Sequence, residues 1–215
     1  MEFSGTFELE GSSVEEVWLA LSDPVLVEES LPGCQFLVEV DDRDPDFDAL
    51  REETADREVE LTGDPEVIAE RAFEEGDHYA ALMQISVGPV NPTFETVVTI
   101  DERDYPEMSA VGEGSSSNSS FEMSSGMTLS ETEDGTAVDW ETEADVFGKV
   151  AQMGQRVVNP VANRVVKRFF SSVEDKLDEQ RLSDADVEGD GAESDGAESD
   201  RGLVDRVLGR SSDSD

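Results

Sequence analysis

The chain has 215 residues, of which 54 are Asp or Glu and 15 are Lys or Arg, so its formal net charge at pH 7 is −39. This length is sufficient for one ordinary hydrophobic core and favours a single folded domain. So negative a surface argues against nucleic acid as a partner, because phosphates require a basic footprint. Cys34 is the only cysteine, which excludes an intrachain disulfide, and nothing indicates secretion.

The acid load also predicts an environment. In dilute buffer the repulsion between these carboxylates would destabilise the compact state, whereas at about 1 M salt the Debye length falls to about 3 Å and screens it. We therefore expect a protein of the high-salt cytosol of an extreme halophile. The amino terminus lacks the apolar core of a signal peptide, and no apolar run approaches the ~20 residues that a transmembrane helix needs. Any membrane contact is expected to be peripheral.

In chain order, alternating apolar residues predict a first strand at 2–9. Two short helices follow. Ser13 and Glu16 form a capping box for the first, and Asp23 before Pro24 opens the second, which runs to Ser30. The turn Leu31-Pro32-Gly33-Cys34 leads into a strand at 35–40.

Residues 41–76 are acidic and irregular up to Asp64-Pro65, which predicts a helix start. We interpret 41–76 as an insertion next to the Leu-Pro-Gly-Cys turn, placed either to cover a cavity or to alter docking. Beyond it, alternation and turn residues predict consecutive strands. Their expected ranges are 78–87, 93–101, 107–113, 118–131 and 136–146.

Residues 148–182 have the longest helical rhythm in the chain. Apolar residues recur there at steps of three and four, which places them on one face. They are Val150, Met153, Val157, Val161, Val165, Phe169, Val173 and Leu177. This window is also basic, with seven Lys or Arg against four Asp or Glu.

The order of elements predicts an α+β helix-grip fold: a curved antiparallel sheet, two short helices after its first strand, and a long carboxy-terminal helix across its face. The domain is expected to span 1–182, and such a grip often leaves a cavity between sheet and helix. Pro160 is expected to bend the closing helix around the sheet or, alternatively, to let it open for a ligand.

The composition changes after residue 182. Residues 183–200 contain a tandem GAESD repeat and are predicted to be a disordered acidic linker, as is the end at 211–215. Between them, 201–210 reads RGLVDRVLGR, a short amphipathic docking segment. Its predicted contact residues are Arg201, Leu203, Val204, Arg206, Val207, Leu208 and Arg210.

Catalytic groups are sparse. His78 is the sole histidine, and it is more plausible as a structural residue than as half of a pair with the distant Cys34. No spacing indicates a metal site. We predict neither catalytic residues nor metal ligands.

Soft apolar residues are the more prominent feature, and they suit either an ordinary core or an adaptable pocket for a long apolar ligand. The predicted cavity residues are Trp18, Leu31, Met83, Phe94, Phe121, Met123, Met153, Val157 and Val161.

Several motifs resemble one known family, the carbon monoxide dehydrogenase family CoxG, here of a haloarchaeal type. They are Phe3-Ser4-Gly5, the Val14–Trp18 helix, Leu31-Pro32-Gly33-Cys34, Val87-Gly88-Pro89-Val90 with Phe94, Gly148–Gly154, and Phe169-Phe170. The similarity covers 1–182 without the insertion, and it implies the START/Bet v 1-like (SRPBCC) helix-grip superfamily.

The resemblance implies a non-catalytic accessory protein of a molybdenum-containing CO dehydrogenase or related hydroxylase. The expected roles are recruitment of that enzyme to the membrane and binding of a hydrophobic small molecule, a quinone or isoprenoid lipid, with no covalent cofactor. The acidic GAESD linker and the insertion depart from the family pattern.

Two alternatives stay open. One is a polyketide cyclase or aromatase-like enzyme acting on an apolar substrate in the same cavity, using Gln84, Tyr79 or His78. The other is a heterodimerising scaffold without a ligand.

Overall fold

The computed structural model describes residues 1–188. Within them the chain forms one antiparallel sheet of seven strands in the order β1-β7-β6-β5-β4-β3-β2. The strands are β1 (Glu2–Glu10), β2 (Cys34–Val40), β3 (His78–Gln84), β4 (Thr93–Asp104), β5 (Glu107–Ser116), β6 (Ser119–Glu131) and β7 (Gly135–Gly148). The helices are α1 (Val14–Ser22), α2 (Pro24–Ser30), α3 (Phe47–Thr54), α4 (Pro65–Arg71) and α5 (Gln155–Glu188). The predicted α+β helix-grip fold is confirmed.

Local sequence signals account for the two short helices. The Ser13 side chain accepts from the Glu16 backbone N–H at 3.2 Å, and the Ser13 backbone N–H donates to the Glu16 carboxylate at 2.7 Å. The predicted capping box is therefore present. Asp23 caps α2 as predicted, with its carboxylate accepting from the Val25 N–H at 3.0 Å and Pro24 in the first turn.

The closing helix begins later than the sequence rhythm predicts. Gly148 is still the last residue of β7, a single 3₁₀ turn follows at Ala151–Met153, and α5 starts at Gln155. Gly148 and Gly154 have φ of +77° and +74°, in the left-handed region that an α-helix cannot pass through. The apolar spacing at Val150 and Met153 thus comes from a turn that packs beneath the helix.

At its other end α5 runs to Glu188, so residues 183–188 are helical although the sequence pattern places them in the linker. Extending an existing helix costs little because nucleation has already occurred. The helix is uninterrupted at Pro160. The remainder of the predicted linker and the docking residues Arg201, Leu203, Val204, Arg206, Val207, Leu208 and Arg210 lie outside the described residues.

The insertion contributes two separate helices. Phe47 and Leu50 of α3 pack against Phe36, Ala80 and Leu82, which face away from α5 on the outer side of the sheet. Arg51 joins α3 to β4 through an ion pair with Glu95 at 2.7 Å. The α3 part of the insertion therefore does not cover the space between sheet and helix. The second helix, α4, packs near α1, with Ile68 buried in the protein.

The main core lies between the inner face of the sheet, α1, α2 and the carboxy-terminal half of α5. Trp18, Val138 and Val173 have no exposed surface, and the rings of Phe7 and Phe170 stack with centroids 5.1 Å apart. This contact fixes α5 to β1 at one edge of the sheet.

A buried ion pair ties the insertion to this core. The Asp23 side chain is fully buried and accepts from Arg71 Nη2 at 2.7 Å, in addition to capping α2. The Phe73 N–H donates to the Ser22 carbonyl at 2.9 Å beside it. Removing one member of such a pair is costly because the partner charge stays partly desolvated.

We expect Asp23→Ala to lower the free energy of unfolding by about 3 kcal/mol, since it removes both the helix cap and the partner of Arg71. Asp23→Asn keeps a cap acceptor and should lose less. Urea unfolding at a fixed, high salt concentration measures both variants. A loss below about 1 kcal/mol in Asp23→Ala would contradict this role of the pair.

Candidate ligand groove

Apolar side chains on the inner face of the sheet form two separate clusters. The first is the main core around Trp18, to which Met127, Trp140, Val166 and Phe169 attach. The second, which we name the end cluster, is built on three buried residues, Val87, Phe94 and Val150. Its partly buried members are Met83, Ile85, Val90, Phe121, Val146, Met153, Val157, Val158 and Val161.

Each strand of the central sheet crosses from one cluster to the other. On β6, Phe121 belongs to the end cluster and Leu129 to the main core, while Met123 between them belongs to neither. Because successive inward positions alternate along a strand, the neighbouring strands contribute their own intermediate residues. They are Thr96 and Val98 on β4, Gly112 and Gly114 on β5, Met123 and Ser125 on β6, and Thr142 and Ala144 on β7.

We name this band the inner groove. Val98, Met123, Ser125, Thr142 and Ala144 are only partly buried although they lie on the inward face. Two residues of α5 at the same level, Ala162 and Val165, are also partly exposed and belong to neither cluster. The helix therefore closes on the sheet at both clusters and leaves an apolar opening between them.

Glycine on β5 makes room for the side chains of β6. A Cβ added at Gly112 would lie 3.2 Å from Met123 Cε, and one added at Gly114 would meet the Phe121 ring and lie 2.8 Å from Thr96 Oγ1. The two glycines thus let Phe121 and Met123 lie flat across the neighbouring strand, which sets the depth of the groove.

The groove also contains hydroxyl groups. Thr96 is 5 % exposed, and its Oγ1 has no hydrogen-bond partner among the described residues. Ser125 and Thr142 bond to each other through their side-chain oxygens at 2.7 Å. An unpaired buried hydroxyl costs stability, so Thr96 is a ready donor for an acceptor atom that enters the groove.

The structure brings together most of the cavity residues predicted from sequence. Met83, Phe94, Phe121, Met153, Val157 and Val161 are all members of the end cluster, and Met123 lies next to it. Trp18 does not join them. It is fully buried in the main core, edge-on to Tyr105 with ring centroids 5.5 Å apart and 5.3 Å beneath the Arg103 guanidinium.

Leu31 also lies elsewhere, partly exposed in the turn after α2. Sequence reasoning missed Thr96, Val98, Gly112, Ser125, Thr142 and Ala144. Their signal was their alternation with clear apolar positions on the same strands, but small and hydroxyl residues do not indicate by themselves that they line a ligand site.

The polar residues considered for catalysis do not converge. His78 Nδ1 bonds Thr99 Oγ1 at 2.8 Å on the outer side of the sheet, whereas Tyr79 points inward and packs edge-on against Phe73. Burial, followed by the nearby Asp77 charge, raises the pKa of Tyr79 above its usual range. Gln84 is exposed at the end of β3.

Cys34 is also unsuited to nucleophilic chemistry, because burial and the nearby Glu28 carboxylate raise the pKa of its thiol to about 12. Within the described residues no group of three or more His, Cys, Asp or Glu side chains is arranged to hold a metal ion. In the same part of the chain, no helix combines the length and the apolar character needed to span a bilayer.

A concavity of about 590 Å³ lies on the other side of the sheet, between α3 and the outer face. Its lining includes Asp44, Asp46, Glu95, Glu113 and Glu122. A concavity with so many carboxylates is unsuited to a long apolar ligand, which leaves the inner groove as the candidate site.

The fold and the groove define a START-like helix-grip protein. Solved structures with the same fold include a conserved protein from Geobacillus kaustophilus, with 22 % identity, a TM-score of 0.61 and coverage of 83 % of this chain and 96 % of that chain. A START superfamily protein from Mycobacterium smegmatis has 10 % identity, a TM-score of 0.51 and coverage of 83 % and 97 %. The Zhui aromatase/cyclase from Streptomyces sp. R1128 has 10 % identity, a TM-score of 0.50 and coverage of 85 % and 95 %.

The sequence profile of CoxG, a subunit of carbon monoxide dehydrogenase, matches residues 70–178. This segment contains β3–β7 and most of α5, and thus every strand that lines the inner groove. The chain belongs to the CoxG family. No curated protein matches it.

Thr96→Val tests whether the groove hydroxyl is held ready for a ligand. We expect the variant to be about 1 kcal/mol more stable than the parent in the absence of ligand, because it removes a buried hydroxyl that has no partner among the described residues. Urea unfolding of ligand-free protein measures the difference, with the exposed Thr128→Val on β6 as the matched control. Destabilisation by more than about 1 kcal/mol would contradict the assignment, since it would mean that the hydroxyl is already bonded.

Proposed function

We propose that this chain is a non-catalytic accessory protein of a molybdenum-containing CO dehydrogenase-type enzyme, and that it carries a quinone or isoprenoid lipid in the inner groove. Membership of the CoxG family supports the accessory role. The observation that carries the ligand proposal is the partly exposed apolar band between two well-packed clusters. An apolar surface left open inside a fold is costly unless a ligand covers it.

The chemistry of the groove suits a molecule with an apolar tail and a polar ring. Met123, Val98, Ala144 and Val165 offer apolar contact, and methionine adapts to irregular shapes. The hydroxyl of Thr96 is positioned to donate to a carbonyl oxygen, which a quinone has and a plain hydrocarbon lacks. Few but well-placed polar groups in an apolar lining are typical of small-molecule sites.

The alternative, a cyclase or aromatase-like enzyme, has weaker support. It rests on a likeness in fold to the Zhui aromatase/cyclase, and fold alone does not determine function. His78, Tyr79 and Gln84 lie on different faces or at the edge of the sheet, so no pair of them can act on one substrate in the groove.

Membrane recruitment is the second part of the proposal. The segment 201–210 has four apolar residues among three arginines, and we propose that it contacts lipid or the partner enzyme. A cytoplasmic protein attached in this way would reach membrane quinone without a spanning helix.

We also propose a high-salt cytosol, because the outer face of the sheet places like charges directly opposite each other. Glu113, Glu122 and Asp145 are register partners in a row across β5, β6 and β7, and Glu2 faces Glu143. Such pairs destabilise a sheet unless salt screens them.

Glu122→Gln tests this role of salt. The change relieves two repulsive pairs and should raise the free energy of unfolding by about 1 kcal/mol at about 0.1 M KCl. The gain should disappear at about 2 M KCl, where the Debye length is shorter than the pair separation. Urea unfolding at the two salt concentrations measures it. Glu8→Gln on β1, which faces Ala137, is the matched control and should gain little at either salt concentration.

Met123→Trp tests ligand carriage, since the larger ring fills the inner groove. After incubation with vesicles that contain menaquinone, native mass spectrometry should detect stoichiometric quinone on the parent protein and at least tenfold less on the variant. Ser124→Trp adds the same ring to the exposed outer face of the same strand and should leave binding unchanged. Parent protein without bound lipid, or equal loading of all three proteins, would refute the carrier.

A further inference from the structure

Acidic residues are absent from the connections at one end of the sheet. At this end β2 begins, β3 ends and β4 begins, β5 turns into β6, and β7 ends, as the pairs Cys34–Met83, Met83–Phe94, Ser116–Ser119 and Ser119–Gly148 require. The four connections here are 31–33, 85–92, 117–118 and 149–154, and none contains Asp or Glu. The insertion at the opposite end contains many acids.

These connections form one continuous surface, which we name the acid-free end. The Lys149 N–H donates to the Asn118 carbonyl at 2.9 Å, and the Val150 N–H donates to Ser119 Oγ at 3.1 Å. A Cβ added at Gly88 would lie 3.6 Å from a Val157 methyl carbon and 3.9 Å from Met153 Sδ. The loop 85–92 therefore rests on the start of α5, beside the end cluster.

The acid-free region continues along α5. From residue 146 to residue 173 the chain has five basic residues and no acid, in a protein whose net charge is −39. Arg156, Pro160, Asn163, Arg164 and Lys167 recur at helical spacing and are all exposed, so they form one stripe that starts at this end of the molecule. Only from Glu174 onward does the helix carry acids.

The pairing of the basic residues differs between this region and the rest of the chain. Arg43, Arg51, Arg57 and Arg71 each form an ion pair with an acid. Within residues 1–180, none of the basic residues from 149 to 168 does so; these are Lys149, Arg156, Arg164, Lys167 and Arg168. In a chain with such an excess of carboxylates, unpaired cations are kept available for an external anion.

One large apolar residue is exposed at the same end. Phe147 is 51 % exposed at the end of β7, two residues before Lys149. An exposed aromatic ring next to basic side chains is typical of segments that lie in the interface of a membrane.

We propose that the acid-free end docks on an anionic lipid surface, with Phe147 in the interface and Lys149 and Arg156 against the head groups. Charge complementarity favours a lipid surface because an extended negative plane repels every other side of this molecule and so fixes its orientation. The inference deepens the proposed function and rests on it, since this orientation places the end cluster and the inner groove next to the bilayer.

The test is flotation of the full-length chain with quinone-free vesicles of phosphatidylglycerol or phosphatidylcholine, at about 0.2 M and about 2 M KCl. At the lower salt concentration the parent should bind phosphatidylglycerol in preference to phosphatidylcholine. Lys149→Gln/Arg156→Gln should bind about 25-fold more weakly, at about fivefold for each charge removed. Arg43→Gln/Lys176→Gln removes two cations elsewhere and should bind like the parent.

At about 2 M KCl the charges are screened, so Phe147→Ser should then have the larger effect. Circular dichroism of each variant controls for folding. Equal binding by the parent and the Lys149/Arg156 variant overturns the proposal, and so does a parent that binds neither vesicle, as expected if an acidic protein is the true partner.

Deletion of 201–210 in the same assay separates the two membrane contacts. If the deletion abolishes binding while the Lys149/Arg156 variant binds like the parent, the tail alone docks and the acid-free end does not. Because the vesicles contain no quinone, failure of this docking is distinguishable from failure of ligand carriage.

Discussion

The constraint on which the structure depends is the need to cover the inner face of a seven-stranded sheet with a single long helix. The helix satisfies it at two places. Phe170 and Val173 fix its carboxy-terminal half to the main core, and Val157 and Val161 fix its first turns to the end cluster. Between these attachments small and hydroxyl residues replace large apolar ones on the sheet, so the groove follows from where the helix is held.

Charge divides the same molecule along a different direction. Carboxylates occupy the outer face of the sheet and the insertion, where rows such as Glu113, Glu122 and Asp145 repel one another. The acid-free end and the first four turns of α5 carry cations that form no ion pair within residues 1–180. A protein that tolerates so much repulsion elsewhere, yet keeps one end free of acids, presents that end to its surroundings.

The insertion shows how a local pattern can leave position undetermined. Asp64-Pro65 marks a helix start and the structure has one there, with Asp64 accepting from the Glu66 N–H at 2.9 Å. The sequence does not say which side of the sheet the preceding segment will reach. Phe47 and Leu50 settle that by covering an apolar patch of Phe36, Ala80 and Leu82 on the outer face.

The sequence by itself determined the order of elements, their type and the helix-grip fold, because period-two and helical spacing, caps and turn residues are local signals. It also indicated the apolar residues of the end cluster. Only the tertiary structure decided that Trp18 belongs to the main core, that α5 begins after Gly154, and that Thr96, Gly112 and Ala144 line a groove. These depend on the strand register and on where the helix crosses the sheet, and contacts between residues distant in sequence set both.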